Sequence, residues 1–206
     1  MDILVPAKRY PSENGELWYA YVETKMKPQL FIITGVNGIG KSTVIPDLKR
    51  KLDPVSFVVH DFDERGVPDN ADREWRKSEM KYWVTVAKSN LGENLSTVVC
   101  GFVKVSDINS ALEDTPDITV SVCVLDASPV TISKRILSRY TTPESLVELE
   151  RTTGKTPEKF VSDNVWVASK FREEANENSY YILDTNEKKP GQVATDIVAW
   201  IKTQES

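Results

Sequence analysis

"FIITGVNGIGKSTVIPDL", residues 31 to 48, decides the fold. Its centre reads G-x-x-x-x-G-K-S from Gly35 to Ser42, the spacing of a loop that wraps its backbone around phosphate groups. The flanks agree, because an apolar β-rich run precedes the loop and a helical pattern follows it. Gly35, Gly38 and Gly40 free the backbone to turn N–H groups inward, with Asn37 and Ile39 completing the loop. The helix opening near Lys41 adds the partial positive charge of its first turn. A nucleotide is the expected ligand. Lys41 is expected to reach its β- and γ-phosphates, Ser42 to ligate Mg²⁺ through its hydroxyl, and Thr43 to touch the α-phosphate.

Outward from this loop, short β-branched runs recur: "LFIITG" (30–35), "VSFVVHDF" (55–62), "STVVCGF" (96–102), "ITVSVCVLDA" (118–127) and "YYILDT" (180–185). They are apolar on both faces, as strands covered by helices on both sides are. Helical patterns lie between and after them, over 42–52, 71–90, 107–113, 129–140, 159–178 and 192–202. Ser128 and Pro129 mark one helix start by cap and first turn. Strand–helix alternation of this kind predicts a doubly wound α/β layer structure in one domain. Residues 1–29 form an N-terminal extension whose patch "LWYAYVET" fits a short strand, a helix or a small hairpin. The polar stretch "YTTPESLVELERTTGKTPEKF" (140–160) breaks the rhythm and is the expected lid.

Composition narrows the partners. A net charge of -5 opposes binding to a polyanion, so nucleic acid is not expected. No apolar run approaches the ~18–20 residues that span a bilayer, and the first 29 residues lack the apolar core of a secretory signal. Two cysteines, Cys100 and Cys123, provide no disulfide framework and read as small core residues in a cytoplasmic protein.

From residue 30 onward the order and spacing of motifs resemble the small P-loop kinases of the adenylate kinase and shikimate kinase type. The resemblance implies a three-layer P-loop NTPase fold, with a five-stranded parallel sheet of order 2-3-1-4-5 and a helical lid. It also implies MgATP as phosphoryl donor. The second strand ends in "HDFDERG", where Asp61 and Asp63 alternate and so point to one side of an extended chain. By resemblance Asp61 assists Mg²⁺ and Asp63 orients or deprotonates the acceptor; a solvated acidic turn is the alternative. His60, the only histidine, reads as structural.

The third strand runs into "VVCGFVK" (98–104), which keeps the Gly101-Phe102 of the adenylate kinase pattern but has Cys100, Val103 and Lys104 around it. That departure removes a strand-terminal carboxylate and an arginine for an acceptor phosphate, and favours a less charged acceptor. In "SKRILSRY", Arg135 and Arg139 share a helix face. The resemblance assigns Arg135 to adenine and Arg139 to the phosphates, jobs that suit a flat forked guanidinium. It further assigns Arg172 to the transferred phosphate, with Lys170 as alternative donor, and places Asp184, Thr185 and Asn186 beside the base. In "DREWRKSEMKYW", Trp75, Tyr82, Trp83 and Val86 recur at helical spacing and read as core, while Arg73, Arg76 and Lys77 are candidates for the acceptor pocket.

These readings converge on an ATP-dependent kinase of a small-molecule acceptor, with nucleosides and nucleotides among the candidates, acting as monomer or homodimer. A nucleotide-dependent switch or ATPase without an acceptor is the rival. Against it, the chain has no N-K-x-D-like segment and no strand-terminal aspartate on the third strand.

Overall fold

In a computed structural model of the chain, residues 5–11, 17–22, 29–68, 71–113, 115 and 118–204 are described. A parallel sheet runs through the middle of the molecule. Its strands are β3 (Leu30–Thr34), β4 (Phe57–Asp61), β5 (Ser96–Cys100), β6 (Val120–Asp126) and β7 (Tyr181–Asp184), in the spatial order β4-β5-β3-β6-β7. Counted from the first strand of this sheet, that is the expected 2-3-1-4-5.

Burial follows position in the sheet. Every residue of β3 and β5 is buried, because both strands have neighbours on each side and helices above and below. The edge strands β4 and β7 bury only their middle positions. Cys100 and Cys123 pair in register with the same residue, Ile33, from opposite sides of β3. Both are buried free thiols, as expected of cysteines with a strand between them, and burial raises the pKa of each.

Helices α1 (Lys41–Lys51), α2 (Arg73–Gly92), α3 (Val105–Leu112), α4 (Pro129–Leu137), α5 (Pro143–Thr153), α6 (Pro157–Glu177) and α7 (Pro190–Thr203) complete the layers. Helix α1 packs with α7, α2 with α3, and α4 with α6. Ser128 caps α4 by accepting from the Thr131 amide, with Pro129 in the first turn.

One expectation changes, that for Tyr82. The stretch 140–160, expected to be a helical lid, is mostly helix: Thr142 and Ser145 form a capping box, Pro143 opens α5, and Gly154 ends it in a left-handed conformation. Only Leu149 of that helix is buried. Tyr82 is not core; it lies on the outer side of α2, its ring under the Arg65 guanidinium at 3.7 Å. Trp83 is buried as read, while Trp75 and Val86 pack at the core margin.

Among the alternatives for residues 1–29, the described parts form an antiparallel hairpin of β1 (Val5–Pro11) and β2 (Leu17–Val22), with a register shift between Pro6 and Lys8. No helix among the described residues is long and apolar enough to cross a membrane.

Candidate active site

The phosphate loop joins β3 to α1. Gly35, Gly38 and Gly40 all adopt positive φ, which an L side chain rarely does. Space also limits two of them: a β-carbon at Gly35 would stand 2.6 Å from the Leu125 carbonyl oxygen, and one at Gly38 2.9 Å from Ile136. The loop is thus pressed against β6 and α4. No side chain caps the N-terminus of α1, and its first turn carries no acidic residue, so its amides and dipole are left for an anion.

Lys41 folds back and donates to the Val36 carbonyl at 2.8 Å. Burial lowers its ammonium pKa to about 8, with Asp63 and Asp61 opposing the shift and Arg139 adding to it. The far side of the loop is held by α6. Asn164, buried on that helix, accepts from both the Asn37 amide (3.1 Å) and the Asn37 side chain (3.2 Å), and donates to the Phe160 carbonyl. Nothing in the motif itself pointed to Asn164; an asparagine inside a helical run was the available signal.

A cleft of about 310 Å³ opens in front of the loop at the carboxyl ends of β4, β3 and β5. On one side it is bordered by Gly38, Gly40, Lys41, Ser42 and Thr43, and on the other by Asp61, Asp63, Arg76, Gly101 and Phe102; Arg139 reaches it as well. Asp61 and Asp63 are therefore brought together with the loop, not left in a detached acidic turn. Asp61 accepts from the Asp63 amide at 3.0 Å, which fixes the turn. Partial burial raises the Asp63 pKa, Arg76 pulls it down, Asp61 raises it and Lys41 lowers it.

Gly101 is what lets β4 and β5 converge at this point. A β-carbon there would sit 2.1 Å from the Phe62 β-carbon, and the Gly101 amide donates to Ile33 instead. Behind it, the buried Thr34 hydroxyl donates to the Val103 carbonyl (2.8 Å) and accepts from the Val103 amide (3.0 Å). His60 does not border the cleft: its Nδ1 lies 2.6 Å from Glu64 and its ring centre 4.8 Å from that of Trp83.

A second cavity of about 260 Å³ lies on the opposite side of the loop, among Gly40, Thr43, Arg135, Arg139, Thr185 and Lys188. Arg135 donates to the Thr185 hydroxyl (2.9 Å) and carbonyl (2.7 Å), and to the Ile39 carbonyl at 3.4 Å. Asn186 braces the same corner by accepting from the Ser128 amide and the Thr131 hydroxyl. The loop after β7 is thus at the mouth of this cavity, where a base was expected.

Arg172 is the exception. It forms a forked ion pair with Asp126 at 2.7 and 2.9 Å and borders neither cavity. A bidentate carboxylate satisfies a guanidinium so well that the side chain is committed to tying α6 to the end of β6. Lys170 is no substitute, since it pairs with Glu173 on the outside of α6. Asp163, on the same helix, is held by Lys155 and Lys159.

Solved structures share this architecture. A gluconokinase from Sinorhizobium meliloti 1021 matches with a TM-score of 0.55 at 16% identity, over 87% of this chain and 94% of that one. Shikimate kinase from Acinetobacter baumannii, in complex with shikimate, matches at 0.53 and 16%, over 88% and 96%. The protein APE1195 matches at 0.60 and 17%, over 88% and 98%. No family model matches the chain, and no curated protein matches it. At these identities the likeness is one of fold: the chain has the three-layer α/β fold of small P-loop kinases of the shikimate and adenylate kinase type.

Proposed function

We propose that this chain is an ATP-dependent phosphotransferase that moves the γ-phosphate of MgATP to a hydroxyl of a small-molecule acceptor. The observation that carries the reading is the single cleft in which the phosphate loop and Asp63 face each other. A switch or ATPase needs the loop and one carboxylate for Mg²⁺ or water, but has no use for a second carboxylate beside Phe102 across from it.

The residues fit the donor. The uncapped start of α1, the positive-φ glycines and Lys41 make an anion cradle, while Arg135 and Thr185 border a space for the base. Ser42 is exposed at the cleft and Asp61 borders it, an oxygen pair of the kind Mg²⁺ takes with phosphate and water oxygens. Mg²⁺ held there would neutralise charge on the phosphates.

In the transfer, the acceptor oxygen forms a bond to the γ-phosphorus as the bond to the β–γ bridging oxygen breaks, and ADP leaves. Asp63 takes the hydroxyl proton; its raised pKa makes it a stronger base than an ordinary aspartate. Lys41 and Arg139 hold the charge on the transferred group. Helix α5, with one buried residue and turns at both ends, is the segment we assign to closing over the cleft. The free thiols and acidic net charge fit a cytoplasmic enzyme without a nucleic-acid partner.

The test is Asp63→Asn. It is expected to leave ATP affinity within about twofold and to slow phosphoryl transfer by about 100-fold or more. Full transfer by the variant removes Asp63 from the mechanism, and ATP hydrolysis that no acceptor stimulates supports the switch instead.

A further inference from the structure

The turn that carries Asp61 and Asp63 is fastened from behind, by side chains that do not border the cleft. Phe62 lies between the two aspartates, and the planar peptide that joins it to Asp63 is held at both ends. On one side the Phe62 carbonyl accepts from the Trp83 indole Nε1 at 3.1 Å; on the other the Asp63 amide donates to Asp61 at 3.0 Å. The Phe62 amide in turn donates to the Cys100 carbonyl at 2.9 Å, which ties the turn to β5. Of these anchors only Trp83 comes from a helix. It is 1% exposed, so water has no access to replace its bond.

A second fastening lies on the solvent side. The exposed Glu64 accepts from the Asp61 amide at 3.1 Å through one carboxylate oxygen, and its other oxygen lies 2.6 Å from His60 Nδ1. The His60 ring rests against Trp83, with centres 4.8 Å apart. From α2, Glu79 and Tyr82 hold the Arg65 side chain, the first by an ion pair at 3.2 Å and the second by its ring at 3.7 Å. Positions 79, 82 and 83 fall on one face of the helix, so α2 grips the chain from His60 to Arg65. A buried tryptophan N–H takes whatever acceptor its packing offers. Here that acceptor is the one carbonyl whose rotation would redirect the Asp63 side chain.

We infer that Trp83 is a positioning residue for phosphoryl transfer: through the Phe62 carbonyl it aims the Asp63 carboxylate at the acceptor oxygen, while Glu64 restrains the same turn from outside. The role of Asp63 rests on the kinase reading, whereas the restraint on its peptide stands on geometry alone. Misplacing a reacting group by ~1 Å costs about 100-fold in rate. Loss of the anchor therefore falls on kcat and spares the nucleotide, whose loop lies across the cleft.

The experiment compares the wild type with Trp83→Phe, which keeps a buried ring and loses the donor, and with Glu64→Met and Glu64→Gln. MgATP turnover is measured with polyols, sugars, hydroxy acids and nucleosides, and with water alone as acceptor, so that no acceptor need be known beforehand. Hydrogen exchange is followed by mass spectrometry in the turn (60–66) and in the phosphate loop (35–42). We expect Trp83→Phe to lower kcat by about 10- to 100-fold with KM for ATP within about twofold. Exchange should quicken about tenfold in the turn and not in the loop. Glu64→Met should lower kcat by at least about threefold, and Glu64→Gln, whose amide oxygen still accepts from Asp61, should restore most of it. Unaltered kcat in Trp83→Phe overturns the inference, and so does a turn that this variant does not loosen. A fall in kcat with equal losses of ATP affinity and loop protection also overturns it, being the mark of a core residue only. Should Trp83→Phe fail to fold, Glu64→Met decides alone, and unaltered kcat there overturns the inference. A wild type that turns over no ATP, with the turn selectively loosened in Trp83→Phe, leaves the restraint standing and defeats the kinase reading.

Discussion

Lys41 shows how the cradle is tuned for a charged ligand. With its ammonium on the Val36 carbonyl and its pKa lowered to about 8 by burial, it loses charge in the free protein as pH passes through that value. Phosphate oxygens favour the charged form, so binding ATP draws the proton back. Proton uptake on binding, read by calorimetry in buffers of different ionisation enthalpy, is therefore expected to be near zero at pH 6 and about half a proton at pH 8. Above pH 8 the ATP affinity should decline by up to about tenfold per pH unit. Binding heats that show no buffer dependence at pH 8 to 9 would place the Lys41 charge outside the ligand's reach.

Among the elements, α6 joins parts of the site that lie far apart in the chain. It holds the phosphate loop through Asn164 and the end of β6 through Arg172. Asn37 itself faces solvent, so in Asn164→Ala water can replace the lost partner, and the stability cost should stay near or below about 1 kcal/mol. The loop loses its fixed position, however, and ATP is expected to bind about tenfold more weakly. Equilibrium titration and urea unfolding on the same variant separate the two effects. A variant that loses stability but keeps its ATP affinity would make Asn164 a packing residue only.

For the molecule as a whole, the strand order sends the connections on either side of β3 in opposite directions, and the cleft lies where they part. A ligand there touches both halves of the sheet and should stabilise them together. At a MgATP concentration of about 100 Kd the gain is about 2.7 kcal/mol, which for a chain of this size raises Tm by about 5–10 °C. A thermal scan showing no shift would argue that the site does not take the nucleotide. Much of this plan was legible in the residues, because the both-face apolar runs and the glycine spacing are local consequences of burial and backbone geometry. Asp61 and Asp63 were legible for the same reason: they end a strand whose outlet is the cleft. What was not legible depended on tertiary pairing. Arg172 was taken by Asp126 from a different element, and Asn164 was recruited by a loop far upstream. Position within α2 decided that Tyr82 turned outward, although its spacing matched the core.

The central place of β3 also sets the order in which the protein can assemble. Leu30 finds its two partners at Thr97 and Val120, both made long after it, and among the described residues no strand of the sheet precedes it. The strand that positions the cradle therefore emerges before β5 and β6 and completes its ladder only once both have been made. Such distant parallel pairings close large loops before any contact repays them, which makes folding slow. Nucleotide cannot help at that stage, for the loop's shape depends on Leu125 and Ile136 pressing against its glycines, and these belong to the later half of the chain.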